Sequence, residues 1–227
     1  MKKIFAFFAL AFLMVSGFAQ KIAKVTLTRD GQVEMFSFNI DNGITLNMTK
    51  DGNITEWGSE VYSDRNQTLT RLEKYLGRVE YYSNTDNEAF RGKVKYIGMT
   101  AITYYGTYDR EEMRGKVRSI GTTIFEYFSK NENESLGGII KTVGSLGFGW
   151  YTTFDNEAFR GKLRNIGTTT LTYYATYDDK AIIGRIKSID RATFTYYTSN
   201  ERREYAGMLK SGTQQQFING IKYYVKF

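Results

Sequence analysis

The chain of 227 residues has no cysteine, no histidine and no proline. Without cysteine there is no thiolate nucleophile, no disulfide framework and no thiol for a lipoprotein anchor. Without histidine there is no imidazole base, and the two absences together exclude an ordinary zinc site. No cofactor and no metal are expected. Apolar runs long enough to cross a membrane as a helix, which takes ~20 residues, are missing as well. What is abundant points the other way: 18 Tyr, 16 Phe and 22 Gly, with aromatics at 16% of the chain. That composition favours strands over helices. Charged residues at 24%, of both signs, argue against a disordered chain.

The first residues have the layout of a secretory signal. Lys2 and Lys3 precede an apolar run from Ile4 to Val15, and Ser16-Gly17-Phe18-Ala19 sets small residues for cleavage after Ala19. Residues 1–19 are therefore expected to be removed, and the protein is expected in the periplasm, at the cell surface or outside the cell. Residues 20–68 read as β-hairpins turned by Asp30-Gly31, Asn42-Gly43 and Asp51-Gly52, and residues 213–227 as a last hairpin turned by Asn219-Gly220. Only Leu69–Leu76 carries a helical period. No linker divides the mature chain, which is expected to be one continuous domain.

Residues 69–212 repeat. Gly92, Gly115, Gly138, Gly161, Gly184 and Gly207 stand 23 residues apart. Counted from each of these glycines, position +2 is aliphatic (Val94, Val117, Ile140, Leu163, Ile186, Leu209), and +5 is Ile97, Ile120, Val143, Ile166 and Ile189, mostly followed by Gly. Position +10 is Ile102, Phe125, Phe148, Leu171 and Phe194, and +12 and +13 are aromatic pairs from Tyr104-Tyr105 to Tyr196-Tyr197, with Tyr81-Tyr82 one unit earlier. Position +17 is acidic in six successive units: Asp86, Asp109, Glu132, Asp155, Asp178 and Glu201. Each unit thus predicts two short strands, the first stopped by the glycine at +6, where a tight turn needs positive φ. The fold class expected is all-β: an elongated or curled antiparallel meander of about six hairpin repeats, with a β-solenoid and an outer-membrane β-barrel as alternatives.

In this frame Tyr104-x-Gly106-x-Tyr108 is followed by Gly115, with relaxed versions at Tyr173-x-Ala175-x-Tyr177 and Trp150-x-Thr152-x-Phe154. The layout resembles the MORN repeat, a 23-residue β-hairpin unit stacked into an elongated sheet. The residue identities depart from that family: Glu111, Glu157 or Lys180 stands at its second glycine, and its later Asp-Gly turn is missing. The resemblance implies a stack of hairpins, and a lipid head group or a protein as partner.

Two sets of columns offer surface chemistry. The aromatic column Tyr81, Tyr104, Tyr127, Trp150, Tyr173 and Tyr196 is a candidate stacking row for sugar rings, unless it builds the core. The basic residues Lys93, Lys95, Lys116, Arg118, Lys141, Lys162, Arg164, Arg185, Lys187 and Lys210, at +1 and +3, make a candidate stripe for an anionic partner, or else a solvated face. The partners considered are an acidic surface glycan, lipopolysaccharide or another envelope protein, with nucleic acid ranked below them for an exported chain. The acid column reads as turn chemistry. Asp155/Glu157 and Asp178/Asp179 are the nearest approach to a glycosidase pair, but they repeat with the turns. The expected function is a non-enzymatic, structural, adhesive or surface-binding protein, with a small outer-membrane barrel as runner-up and a glycosidase third.

Overall fold

The computed structural model describes residues 22–62, 70–201 and 203–227. The export segment at residues 1–19 lies outside the described residues. The chain first runs as an antiparallel meander of β1 (Ile22–Leu27), β2 (Val33–Asn39), β3 (Ile44–Met48), β4 (Ile54–Tyr62) and β5 (Thr70–Lys74). Gly31, Gly43 and Gly52 hold positive φ in its turns, the conformation that only glycine adopts without cost. Residues 70–74, where the sequence carried a helical period, form a strand, because β4 offers them a complete ladder from Gly58↔Lys74 to Tyr62↔Thr70.

From residue 79 the repeats take over. β6 (Val79–Tyr81) is followed by one hairpin per unit: β7 (Val94–Ile97) with β8 (Thr100–Tyr104), β9 (Val117–Ile120) with β10 (Thr123–Tyr127), and β11 (Ile140–Val143) with β12 (Leu146–Trp150). β13 (Leu163–Ile166) with β14 (Thr169–Tyr173) and β15 (Ile186–Ile189) with β16 (Ala192–Thr193) continue the series. These strands form an antiparallel sheet of 11. Beyond Phe194, whose N–H still reaches the Lys187 carbonyl at 2.9 Å, β17 (Thr195–Tyr196) pairs with β18 (Leu209–Ser211) and extends the same layer. The glycine at +6 opens each two-residue turn with φ between 54 and 60°, and in the unit that starts at Gly184 Asp190 takes that place at φ 51°. Three of the glycines that start units answer to a second constraint. A Cβ on Gly115, Gly138 or Gly207 would lie 2.6–2.8 Å from the carbonyl of Ala89, Glu112 or Ala181, so successive turns can approach this closely only through glycine.

The chain then returns to the first sheet. β19 (Gln215–Ile218) and β20 (Ile221–Val225) form a hairpin, and β20 lies parallel to β1, with Lys24↔Lys222 and Thr26↔Tyr224 in register. The seven-stranded order is β19-β20-β1-β2-β3-β4-β5. Every other pairing is antiparallel as the hairpin pattern predicts, and the sheets do not close into a barrel. Within each of the five units that start at Gly92 to Gly184 the two strands are neighbours in one sheet, a hairpin and not a solenoid coil.

The two sheets share one core. Phe36 meets Phe148 and Phe38 meets Phe125 edge to face, both with ring centroids 5.3 Å apart. Two turns of the first sheet also dock on the repeat layer. Gly52 sits against the Tyr127 ring while its carbonyl accepts from Val117 N at 3.0 Å, and the Lys50 carbonyl accepts from Ile140 N at 3.0 Å. Gly31 sits in the same way on Tyr173.

The end repeats are divided between the layers. In the repeat frame, β5 and β6 are the first and second strands of the unit before Gly92, and β18 and β19 are those of the unit that starts at Gly207. One strand of each pair belongs to each sheet, so β5 and β19 form the two edges of the seven-stranded sheet.

Candidate functional site

The aromatic column is interior. Tyr104, Tyr127, Trp150, Tyr173 and Tyr196 are buried, and Tyr81 is exposed only because β6 is an edge strand. Burial favours a partner for each polar tip, and the Tyr196 hydroxyl finds none among the described residues. Tyr104, Tyr127 and Tyr173 donate to the carbonyls of Val94, Val117 and Leu163 at 2.7–2.9 Å, and the Trp150 indole donates to Ile140 O at 2.8 Å. Burial pushes the phenols of Tyr104, Tyr127 and Tyr173 well above the usual range. The column is therefore no platform for a sugar. The partner column at +13 is half-buried and links units: Tyr82, Tyr105, Tyr151 and Tyr174 donate to the +10 carbonyls of Ile102, Phe125, Leu171 and Phe194 in the next unit.

The basic stripe splits into two sets. At +1, Lys93, Lys116, Lys162 and Arg185 lie 5.1–5.7 Å from the centroids of the buried rings of Tyr104, Tyr127, Tyr173 and Tyr196. Lys93 and Lys162 cap the carbonyls of Gly115 and Gly184, and Lys116 donates to Asp51 O at 2.8 Å. Lys162 is itself buried, and burial pulls its ammonium down to about 8. At +3, Lys95, Arg118, Lys141, Arg164, Lys187 and Lys210 lie 5.3–5.7 Å from the rings of Tyr82, Tyr105, Phe128, Tyr151, Tyr174 and Tyr197. These reach the surface, but each also covers a ring, and Lys141 and Lys210 pair with Glu132 and Glu201. A β-bulge at the twelfth position of the repeat, as between Thr103 and Tyr104, accompanies the division into inner and outer cations.

The acid column closes turns. Asp109, Asp155 and Asp178 accept from the N–H three residues earlier at 2.6 Å, and these bonds hold Asp155 below the usual carboxylate range. Asp179 accepts from Ala181 N and from Ser199 N in the next unit. Asp155, Asp178 and Asp179, three of the four carboxylates in the candidate pairs, are engaged in this way. Arg114 reaches the Asp109 backbone carbonyl and not its carboxylate.

Two features stand free of the scaffold. One is a set of rings at +16 that the candidate columns omit: Tyr108, Phe154 and Tyr177 are 101, 95 and 86% exposed on the turn edge of the repeat layer. The signal was present, since the same column holds Asn131 and Asn200, which a core position would not tolerate.

The other is a trough of about 350 Å³ on the outer face of the seven-stranded sheet. Lys24, Thr26, Met35, Asn47, Glu56, Lys222, Tyr224 and Lys226 line it, with Arg71 and Leu72 at the rim. Lys24 on β1 reaches Glu60 on β4, although two strands separate them. Strands ~4.8 Å apart would put those backbones ~14 Å from one another in a flat sheet, so the face is concave. Two of its lining residues, Thr26 and Asn47, are polar and buried. Asn47 donates to Glu56 at 2.8 Å, and Lys226 pairs with Glu34. Lys222 lies directly opposite Lys24 and has no carboxylate partner among the described residues. Neither a family model, nor a curated protein, nor a solved structure matches the chain, so the likeness to MORN repeats rests on spacing alone.

Proposed function

We propose that this chain is an exported, non-catalytic binding protein whose trough takes an anionic glycan. The observation that carries the reading is the juxtaposition of Lys24 and Lys222. Like charges opposed on neighbouring strands repel, and only Lys24 is matched by a carboxylate, Glu60. A ligand carboxylate, sulfate or phosphate would complete the set. Lys222 and Tyr224 on β20 and Lys226 just after it all line the trough, so an aromatic ring and lysines share one face. A pyranose stacks on such a ring while its acidic substituent meets the lysines. The layout of residues 1–19 supports export, and the engagement of Asp155, Asp178 and Asp179 in turn hydrogen bonds supports a role without catalysis.

The test is binding of a polyuronate and of a neutral glucan at low and high salt. Polyuronate binding should weaken with salt, and Lys222→Gln should weaken it by about tenfold, the loss of one charge-assisted contact. Equal binding of both polymers, or an unaltered Lys222→Gln variant, would sink the reading.

A further inference from the structure

The divided end repeats leave complementary halves at opposite flanks of the molecule. β6 is a second strand whose own first strand, β5, lies in the other sheet. β18 is a first strand whose own second strand, β19, lies in the other sheet. Among the described residues each layer therefore ends in an edge strand with no further strand paired to it at both flanks: β5 and β6 at the leading flank, β18 and β19 at the trailing one. An open edge presents unpaired N–H and C=O groups and is a template for another strand.

From these halves we propose that copies of this chain add head to tail, with β18 and β19 of one copy against β6 and β5 of the next. Three observations fit that occupant. In complete units the first strand meets the second as Asn165↔Thr170 and Ile166↔Thr169, and the same offset sets Ser211 of one copy against Arg78 of the next. Strand direction agrees in both layers. Following the alternation through each sheet, β18 runs opposite to β6, and β19 runs opposite to β5, so both junctions are antiparallel. Large apolar side chains are also left exposed at the flanks: Tyr62, Leu76 and Tyr81 at the leading flank, and Met208 and Phe217 at the trailing one, with Leu76 at 89% and Phe217 at 77%. The chain has no proline to block an edge. A contact between two different surfaces does not close on itself unless its rotation closes a ring, so the expected product is an open series of copies or a ring, and not a two-fold dimer.

The experiment is sedimentation and light scattering of the full chain over a range of concentrations, for the parent and for the single variants Leu76→Lys and Phe217→Lys. Both sites are exposed, so the folded chain should be retained, which circular dichroism and the melting temperature check. The parent should grow through successive multiples of one chain, and each variant should associate about tenfold more weakly, since a charge replaces an apolar contact. Because each variant keeps one intact flank, a small fraction of it added to the parent should cap and shorten the series. A parent that stays monomeric, one that stops at a dimer, or an assembly indifferent to both variants would overturn the proposal.

Discussion

The indole of Trp150 donates to the carbonyl of Ile140 at 2.8 Å, in the place where the phenol of Tyr173 donates to Leu163 and that of Tyr127 to Val117. Two different side chains thus do one job: each fills the core and carries a donor back to the first strand of its own unit. The column selects for a donor at the tip of a large ring.

Tyr173→Phe should therefore cost about 1–3 kcal/mol, because the Leu163 carbonyl loses a buried donor and nothing replaces it. Tyr151→Phe, in the half-buried +13 column, should cost no more than about 1 kcal/mol. Phe128 already occupies that column in another unit. Denaturant melts of the two variants make the comparison, and equal costs would show that the phenol bonds of the inner column carry no special weight.

The glycines separate strain from clash. Gly52 and Gly161 both hold positive φ, at 76 and 71°. A Cβ on Gly52 would meet the Tyr127 ring at 2.1–2.6 Å, whereas one on Gly161 meets nothing within 4 Å. Gly161→Ala should cost about 1–2 kcal/mol, the strain alone. Gly52→Ala should cost clearly more, because the turn can no longer seat on the repeat layer. Thermal melts of the pair distinguish the two, and a Gly52→Ala variant no worse than Gly161→Ala would show that this docking is soft.

Stability should rise and then fall on the alkaline side. Burial lowers the Lys162 ammonium to about 8 in the fold, below its unfolded value near 10.5. Between those two values the unfolded chain binds more protons than the folded one, so stability increases with pH across that window. Lys93 and Lys116 shift in the same direction by burial. Above the unfolded phenol range the sign reverses. Tyr223 is pushed up to about 12 by burial and the inner-column phenols higher still, so the unfolded chain releases protons that the fold retains. Melting temperatures from neutral to strongly alkaline pH should trace this dome, and Lys162→Met should flatten its rising limb.

Replacing Tyr108, Phe154 and Tyr177 together by Ser should leave stability within about 0.5 kcal/mol per site, as expected for exposed side chains free of the scaffold. A large drop in melting temperature would instead assign these rings a structural role.

Much of this architecture is legible in the sequence because a repeat reports itself many times over. The spacing of the glycines gives the unit, the glycine at +6 gives the hairpin, and the acid at +17 gives the turn closure that Asp109 and Asp155 make. The burial of the inner aromatics was also encoded: Tyr104 lies two residues after Ile102 on one strand, so both face the same way, and Ile102 is apolar. The division of the basic columns was not legible, because it accompanies a bulge that alternation does not announce. Nor was the trough. It needs β20 beside β1, a pairing between the two ends of the chain that no local pattern contains.

The divided end repeats also make the molecule a ruler. In an ordinary repeat array each unit touches only its neighbours, so units are gained or lost with little consequence elsewhere. Here the first and last units are each anchored to an edge of a sheet whose width is set by other residues. Excision of one 23-residue unit, such as residues 138–160, would shorten the repeat layer without narrowing its partner, and the two anchors could not both be met. The number of repeats is thus counted by the opposing sheet, and length variation, ordinarily the freest property of a repeat protein, is closed to this one.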